Sequence, residues 1–400
     1  MSDRLRNLLA VFLLITLAIS AFVAGYFMND FVELRSGGTL VRDQSDFDLF
    51  WEAWGRVQGT FIGEIPSSKA MTYGAIRGAI ALLNDPYTVF VEPVARQQEI
   101  QSLQGTFGGI GAFLSRPEEG GDILLEPMPG NPAEAAGVRS QDVLLAVDGA
   151  PITPEMTVSE VADLIKGDIG TVVVLTVRHA DETEPVDISI TRDRILDPSV
   201  SSRLLAEDET IGYIRLTRFS AESSTEVKDA ITSLLDQGAQ SLILDMRHNG
   251  GGLLDAAVDI ADHFLTDGPI LYQQSKDEGE RVYSATAETI APDIPLVVLV
   301  DGGTASAAEI VAGALQDRGR AIMIGSSPTF GKGSVQLVFD LSDGSSVHVT
   351  SARWYTPDHH QIDQQGLTPE IIVEVTQEAI DNGIDQVLLR AVEELQNGNK

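Results

Sequence analysis

Leu296-Val297-Val298-Leu299-Val300, then Ser306 to Gln316, then Ala321-Ile322-Met323-Ile324, decide the fold of this chain. The first and third stretches are short apolar runs that read as buried strands, and the second reads as a helix. A strand, a helix and a returning parallel strand make one right-handed crossover. The alternation extends outward, with strands at Ile211 to Leu216 and Leu242 to Met246 and helices at Ser223 to Asp236 and Leu253 to Phe264. The expected class is α/β, with a mostly parallel sheet inside. Val335 to Phe339 and Val347 to Trp354 flank the turn signal Asp343-Gly344 and predict a hairpin added to that sheet.

In an open parallel sheet the functional loops gather at the carboxyl ends of the strands. Three fall there together: Asp245-Met246-Arg247-His248-Asn249-Gly250-Gly251-Gly252, Asp301 to Ser306, and the loop ending at Gly331-Lys332. The chain from Ser306 to Lys332 leaves and returns to the same edge, so proximity is geometrically cheap. A serine hydroxyl attacks an amide when a neighbour removes its proton. A lysine amine can do this once desolvation makes it neutral near pH 7.

Each residue also has a bland explanation. Ser306-Ala307-Ala308-Glu309 is a capping box at a helix start, and Lys332 by itself is a surface lysine. A phosphate-binding loop fails at Lys332, because five residues separate Gly325 from Gly331 and Gly333 stands where a hydroxyl is required. Gln336, four residues after Lys332 on the same strand face, can hydrogen-bond and orient the amine. The glycines at 250 to 252 can present N–H groups to an oxyanion, with Ala307 N–H as second donor, or can simply form a flexible turn. His248 and His348 raise a Ser-His-Asp arrangement, although a histidine beside a glycine turn or within a strand is more often structural. Asp358-His359-His360 reads as an exposed loop; no metal is assigned and no organic cofactor is needed.

Upstream, residues 105–194 change to short apolar runs broken by glycine and proline, a β-rich pattern with two helices. Ile123-Leu124-Leu125, Val143 to Val147 and Thr171 to Val177 read as strands. Asn131-Pro132-Ala133 opens a short helix that Gly137 ends, and Thr157-Val158-Ser159-Glu160 is a capping box opening a second helix to Lys166. This order resembles a bacterial-type PDZ domain, carried by Gly108-Gly109-Ile110-Gly111-Ala112-Phe113, Asn131-Pro132-Ala133 to Val138, and Asp142-Val143-Leu144 to Gly149. The resemblance implies that Gly108, Gly109, Ile110, Gly111 and Ala112 receive a peptide's terminal carboxylate while the peptide pairs as an added strand. The plain alternative is that the glycines only permit a tight turn.

The chain has 400 residues, 43% of them apolar, and carries a formal charge of −32, which repels phosphate backbones and argues against nucleic-acid binding. It has no cysteine, which excludes disulfides, thiolate nucleophiles and cysteine-ligated zinc. Leu8 to Met28 is an uncharged run, about 30 Å long as a helix, preceded by Arg4 and Arg6 and followed by Asp30 and Glu33. The expectation is a single-pass cell-membrane anchor in residues 1–35 with the body outside the cytoplasm. A cleaved signal peptide ending at Ala18-Ile19-Ser20 is the rival, and would make the protein secreted. Residues 36–104 read as a tether and a helical region, in which Phe47, Phe50, Trp51, Trp54 and Val57 recur at helical spacing. Ser68 is expected to cap a second helix that runs to Leu83, where Asn84-Asp85-Pro86-Tyr87 turns the chain. Residues 195–375 form the α/β core and residues 376–400 a C-terminal helical region.

Residues from about Phe47 to Val375, some four-fifths of the chain, resemble the carboxyl-terminal processing peptidases, also called tail-specific proteases. The resemblance is carried by Asp85-Pro86-Tyr87-Thr88 to Phe90, Asp245-Met246-Arg247-His248-Asn249 with Gly251-Gly252, Ser306-Ala307-Ala308-Glu309-Ile310, Thr329-Phe330-Gly331-Lys332-Gly333-Ser334-Val335-Gln336 and Arg353-Trp354-Tyr355-Thr356-Pro357. It implies Ser306 as nucleophile, Lys332 as general base, Gln336 as the residue orienting it, and Gly251 and Ala307 as oxyanion donors. It also implies protein substrates with accessible C-termini, a PDZ domain that can gate activity, and room for a homo-oligomer. Thr304 and Ala308 stand where that family commonly has serines, and His359-His360 where a glycine and an arginine are common. The alternative from another class is a non-catalytic membrane-anchored PDZ adaptor.

Overall fold

The computed structural model describes residues 44–117, 121–276, 278–286 and 289–398. The expected membrane segment, Leu8 to Met28, lies outside them. No helix among the described residues is long and apolar enough to cross a membrane. The chain divides into two units, Met1–Gly74 and Ala75–Lys400.

The first unit contains the helix Gln44–Thr60, with the aromatic spacing expected of it, and the start of the helix Ser68–Ala81. Its cap is Ser67 rather than Ser68, since Ser67 Oγ accepts the Ala70 N–H at 3.2 Å. A serine side chain reaches the N–H three residues on, which places the cap one residue earlier than the apolar pattern suggested.

In the second unit a six-stranded sheet runs in the order Val200–Leu205, Asp208–Leu216, Ser241–Asp245, Leu296–Val300, Ile322–Gly325, Ile371–Ile372. The first pairing is antiparallel and the other four are parallel. Every residue of Ser241–Asp245 and Leu296–Val300 is buried, which accounts for the apolar runs Leu242 to Leu244 and Leu296 to Val300. Leu244, Val298 and Met323 face one core with the helices Ser223–Asp236, Leu254–Asp262 and Ala307–Asp317. Ile243, Val297 and Ile324 face a second core with Val387, Ala391 and Leu395 of the helix Gln386–Gly398.

The predicted hairpin exists, but it does not extend this sheet. Ser334–Asp340 and Ser346–Tyr355 join Val89–Val91, Pro269–Ser275 and Gly279–Ser284 in a separate antiparallel sheet. The edge of Ile322–Gly325 is occupied instead by Ile371–Ile372, which follows the hairpin in sequence.

The PDZ-like domain has its own core around Leu125, Val161, Val173 and Leu175 and its own antiparallel sheet. That sheet includes a strand, Val186–Thr191, that the sequence pattern did not reveal. The capping box forms as expected, with Thr157 Oγ1 accepting the Glu160 N–H and the Glu160 carboxylate accepting the Thr157 N–H. Thr106–Gly109 pairs with Asp193–Leu196, so the segments entering and leaving this insertion lie side by side.

Candidate active site

Ser306 sits at the head of the helix Ala307–Asp317, where the chain leaves the central strand. Its backbone holds φ 56°, ψ −118°, a positive φ that costs a serine about 1–3 kcal/mol and persists only when its surroundings impose it. Those surroundings can be named. Thr304 is buried, and its hydroxyl donates to the Met246 carbonyl (2.9 Å) and accepts the Asp301 N–H (3.0 Å); Ala305 N–H donates to the Asn249 carbonyl (2.9 Å). Thr304 therefore ties the serine loop to the glycine loop, and a serine is not required for that. Glu309 N–H donates to the Ser306 carbonyl oxygen (2.8 Å) and Ser306 N–H to the Glu309 carboxylate (2.8 Å), so the backbone holds the helix start without depending on the hydroxyl.

Glu309 is the residue whose reach sequence reasoning missed. It is fully buried, and its carboxylate accepts the Ser306 N–H (2.8 Å), the Thr329 hydroxyl (2.6 Å), the Gly331 N–H (2.7 Å) and the Lys332 N–H (2.9 Å). Burial pushes this carboxyl above its ordinary range, against the pull of those four hydrogen bonds. One side chain thereby fixes the backbone of both Ser306 and Lys332. A capping-box glutamate signals only the first half of that role.

Lys332 projects from a loop pressed against residues 362–366. A Cβ at Gly331, which holds φ 87°, would meet Gly366 N at 2.7 Å, and one at Gly333 would meet Asp363 N at 2.9 Å, so both flanking positions demand glycine. The indole N–H of the buried Trp354 donates to the Lys332 carbonyl at 3.1 Å. Lys332 Nζ donates to Gln336 Oε1 at 2.9 Å. Burial lowers the lysine's pKa from its ordinary value, opposed by Glu99 and Glu309, whose charges favour the ammonium.

Ser306, Ala307, Lys332 and Gln336 line one cavity of about 440 Å³, together with Gly250, Gly251, Ile310 and Trp354. Ala307 N–H has no hydrogen-bond partner among the described residues. Gly251, at φ 99°, lies against Ser306, and a Cβ there would sit 2.8 Å from Ser306 Cβ. Its N–H donates to Asn249 Oδ1 at 2.9 Å and would have to exchange that acceptor to serve an oxyanion. Asn249 is itself held by Nδ2 on the Leu216 carbonyl at 2.9 Å.

The histidines separate. His248, at φ 58° and largely exposed, pairs through Nδ1 with Asp301 (2.8 Å) and does not line the cavity. His348 lines it, 3.3 Å from Glu99, and burial lowers its pKa. His359 stacks on Tyr272 (centroids 3.9 Å apart) while His360 faces Asp317. Among the described residues no cluster of His, Cys, Asp or Glu suits a metal ion.

Behind the glycine loop, buried Asp245 takes Arg215 (2.7 Å), Arg247 (2.6 Å) and the Tyr213 hydroxyl (2.7 Å). Arg247 also makes two hydrogen bonds to Asp385, at the start of the C-terminal helix (2.9 and 2.8 Å). Burial alone would raise both aspartates, but Arg247 holds them below the usual carboxylate range. Their contribution to stability is therefore present above pH ~4 and lost as pH falls through the lowered values. Asp385→Asn is expected to cost about 1 kcal/mol, read as a lower urea midpoint at pH 7, with the wild-type and variant midpoints converging in acid.

In the PDZ-like domain, Gly109, Ile110, Gly111 and Ala112 line a mainly apolar groove of about 480 Å³ with Leu114, Ala162 and Ile165. Gly108 lies outside it, where a Cβ would collide with the Gly167 carbonyl. Among the described residues the strand Ala112–Ser115 is an edge, paired only with Ile123–Pro127.

Residues 210–373 match the description "Peptidase family S41", and residues 123–179 match "PDZ domain". The chain is 38% identical over 322 residues to a carboxyl-terminal-processing protease of Picosynechococcus, covering 80% of this chain and 77% of that one. It is 33% identical over 371 residues to a carboxy-terminal processing protease of Bacillus subtilis, covering 92% and 78%. A solved structure of a photosystem II D1 C-terminal processing protease is 34% identical, covering 80% of this chain and 86% of that one, with a TM-score of 0.46.

Proposed function

The chain belongs to peptidase family S41, as one of its carboxyl-terminal processing serine proteases, and on that premise we propose that Ser306 is its nucleophile and Lys332 its general base. The supporting observation is the shared cavity, in which Lys332 Nζ is held by Gln336 on a wall common with Ser306 and Ala307.

Neutral Lys332 takes the Ser306 proton as Oγ bonds to the scissile carbonyl carbon, and the oxyanion that forms is met by the unpartnered Ala307 N–H. The C–N bond then breaks as the lysine ammonium returns the proton to the leaving amine, and the C-terminal fragment departs. Water attacks the acyl ester, giving its proton to Lys332, and Ser306 recovers its proton as the shortened protein leaves. Gly251 serves as second donor once its N–H turns from Asn249 to the oxyanion. Gln336 keeps the amine oriented throughout.

The PDZ-like groove receives the substrate tail, whose carboxylate meets the N–H groups around Gly109 to Ala112 while the tail pairs with the free edge of Ala112–Ser115. Leu8 to Met28 holds the enzyme in the membrane with its catalytic body outside the cytoplasm.

The full chain, purified in detergent and incubated with an unfolded protein, is expected to yield a product shortened at its C-terminus by intact-mass measurement. Amidating the substrate's C-terminal carboxyl should slow cleavage about 10-fold or more, through the loss of a charge-assisted contact. Tail binding without any change in mass would leave the adaptor reading standing. Membrane fractionation with protease accessibility tests the anchor: a full-length chain in the soluble fraction would overturn it.

A further inference from the structure

We propose that Tyr87 is a positioning residue of this site, its ring covering the Lys332 amine and excluding water from it. The proposal rests on the reading of Lys332 as general base and adds what keeps that base neutral. Lys332 Nζ lies 5.5 Å from the Tyr87 ring centroid. The same residue's carbonyl oxygen accepts the Gln336 Nε2–H, so the amide that orients the lysine is held by the residue that covers it. With its NH₂ committed to a carbonyl, Gln336 can offer the lysine only Oε1, an acceptor suited to an N–H donor.

The placement is built, not incidental. Asn84 turns the chain at φ 53°. Asp85 then accepts the Tyr87 N–H (3.2 Å) and the Thr88 hydroxyl (2.6 Å), and Thr88 Oγ1 accepts the Thr350 N–H (3.1 Å). Thr350 is the strand partner of Gln336, and Val89–Val91 pairs with Ser346 to His348 in the same sheet. The turn is thus fastened to the sheet that carries the lysine's partner.

An aromatic face acts on an amine in two opposed ways. It attracts the ammonium, and it displaces water, which favours the neutral amine. The groups facing Lys332 are Glu99 from the helix Pro93–Gln104, Glu309 from the helix Ala307–Asp317 and His348 from Ser346–Tyr355. The two carboxylates favour the ammonium, yet burial is the dominant influence and wins. The ring, lying over the amine, contributes to that burial. Burial also pushes the Tyr87 phenol up, so the ring brings no charge of its own at neutral pH.

The test is the pH dependence of kcat and KM for the full chain in detergent on an unfolded protein, between about pH 6 and 9.5. Tyr87→Ala is expected to stay within about threefold of wild type at the alkaline end and to fall about 10-fold or more at the acid end, with KM changed less than about twofold. Tyr87→Phe, which restores the ring, should restore the wild-type profile, and Tyr87→Leu, which restores apolar cover without a π face, should do so in large part. A fall that is uniform across pH, or one confined to KM, overturns the proposal, as does a leucine variant that behaves like alanine. Should Tyr87→Ala fail to melt cooperatively, Tyr87→Val withdraws most of the cover and is judged by the same outcomes. Failure of the underlying reading looks different: Lys332→Ala would remain active, or wild type would show no acid limb.

Discussion

Ser306→Ala is expected to lower the cleavage rate at least ~1,000-fold while leaving the melting temperature within about 2 °C of wild type. The asymmetry follows from what the side chain touches. The contacts that hold Ser306 at positive φ come from its own backbone N–H and carbonyl, from Thr304 and from Glu309, all kept in the variant. Lys332→Ala should cost a similar factor, and the double variant should be no slower than either single one, because nucleophile and base act as a unit. In wild type the rate should fall as pH drops, since a general base works only when neutral and acid converts Lys332 to the ammonium. Burial places that limb below the ordinary lysine range. Equal turnover by wild type, Ser306→Ala and Lys332→Ala would sink the mechanism, and a rate unchanged well into acid would remove lysine as the base.

Glu309→Gln is the second large effect, expected to reduce kcat about 100-fold with little change in KM and to cost about 2–4 kcal/mol of stability. The native carboxylate only accepts, and it satisfies three backbone N–H groups and one hydroxyl. A glutamine offers one acceptor oxygen and turns an NH₂ toward the remaining donors, leaving at least one buried N–H unpaired at about 1–3 kcal/mol. The Ser306 and Lys332 backbones would then lose their common anchor, and a misplacement near 1 Å is enough for a loss of this size. Urea denaturation and steady-state kinetics read the two parts separately. A variant with wild-type kcat would show that the clamp is structural decoration.

Much of the arrangement is legible in local pattern. The apolar runs at Leu242 to Leu244 and Leu296 to Val300 announce strands covered on both faces, and Thr157 with Glu160 announces its helix start. The misses have a common cause. The hairpin 334–355 has clear strand and turn signals, but nothing in those residues states that Ile371–Ile372 will occupy the edge they were expected to join. Glu309 reads as a cap because its Ser306 contact is three residues away, whereas its Lys332 contact spans 23 residues and leaves no periodic trace. Asn249 is beside the glycines in sequence, yet only the fold turns its Oδ1 onto the Gly251 N–H.

What the sequence determined by itself is the set of parts: a parallel α/β crossover that returns Lys332 to the edge Ser306 left, a β-rich insertion, and a serine, lysine and glutamine whose roles are implied by the resemblance to carboxyl-terminal processing peptidases. The crossover and the insertion follow from period and handedness, which act over a few residues or one crossover. The tertiary structure decided which hydrogen bonds those residues keep. It joined serine and lysine through Glu309 and brought Tyr87 against Lys332 across 245 residues of chain. The physical reason is that a buried donor or acceptor must find a partner in space, whatever its distance in sequence.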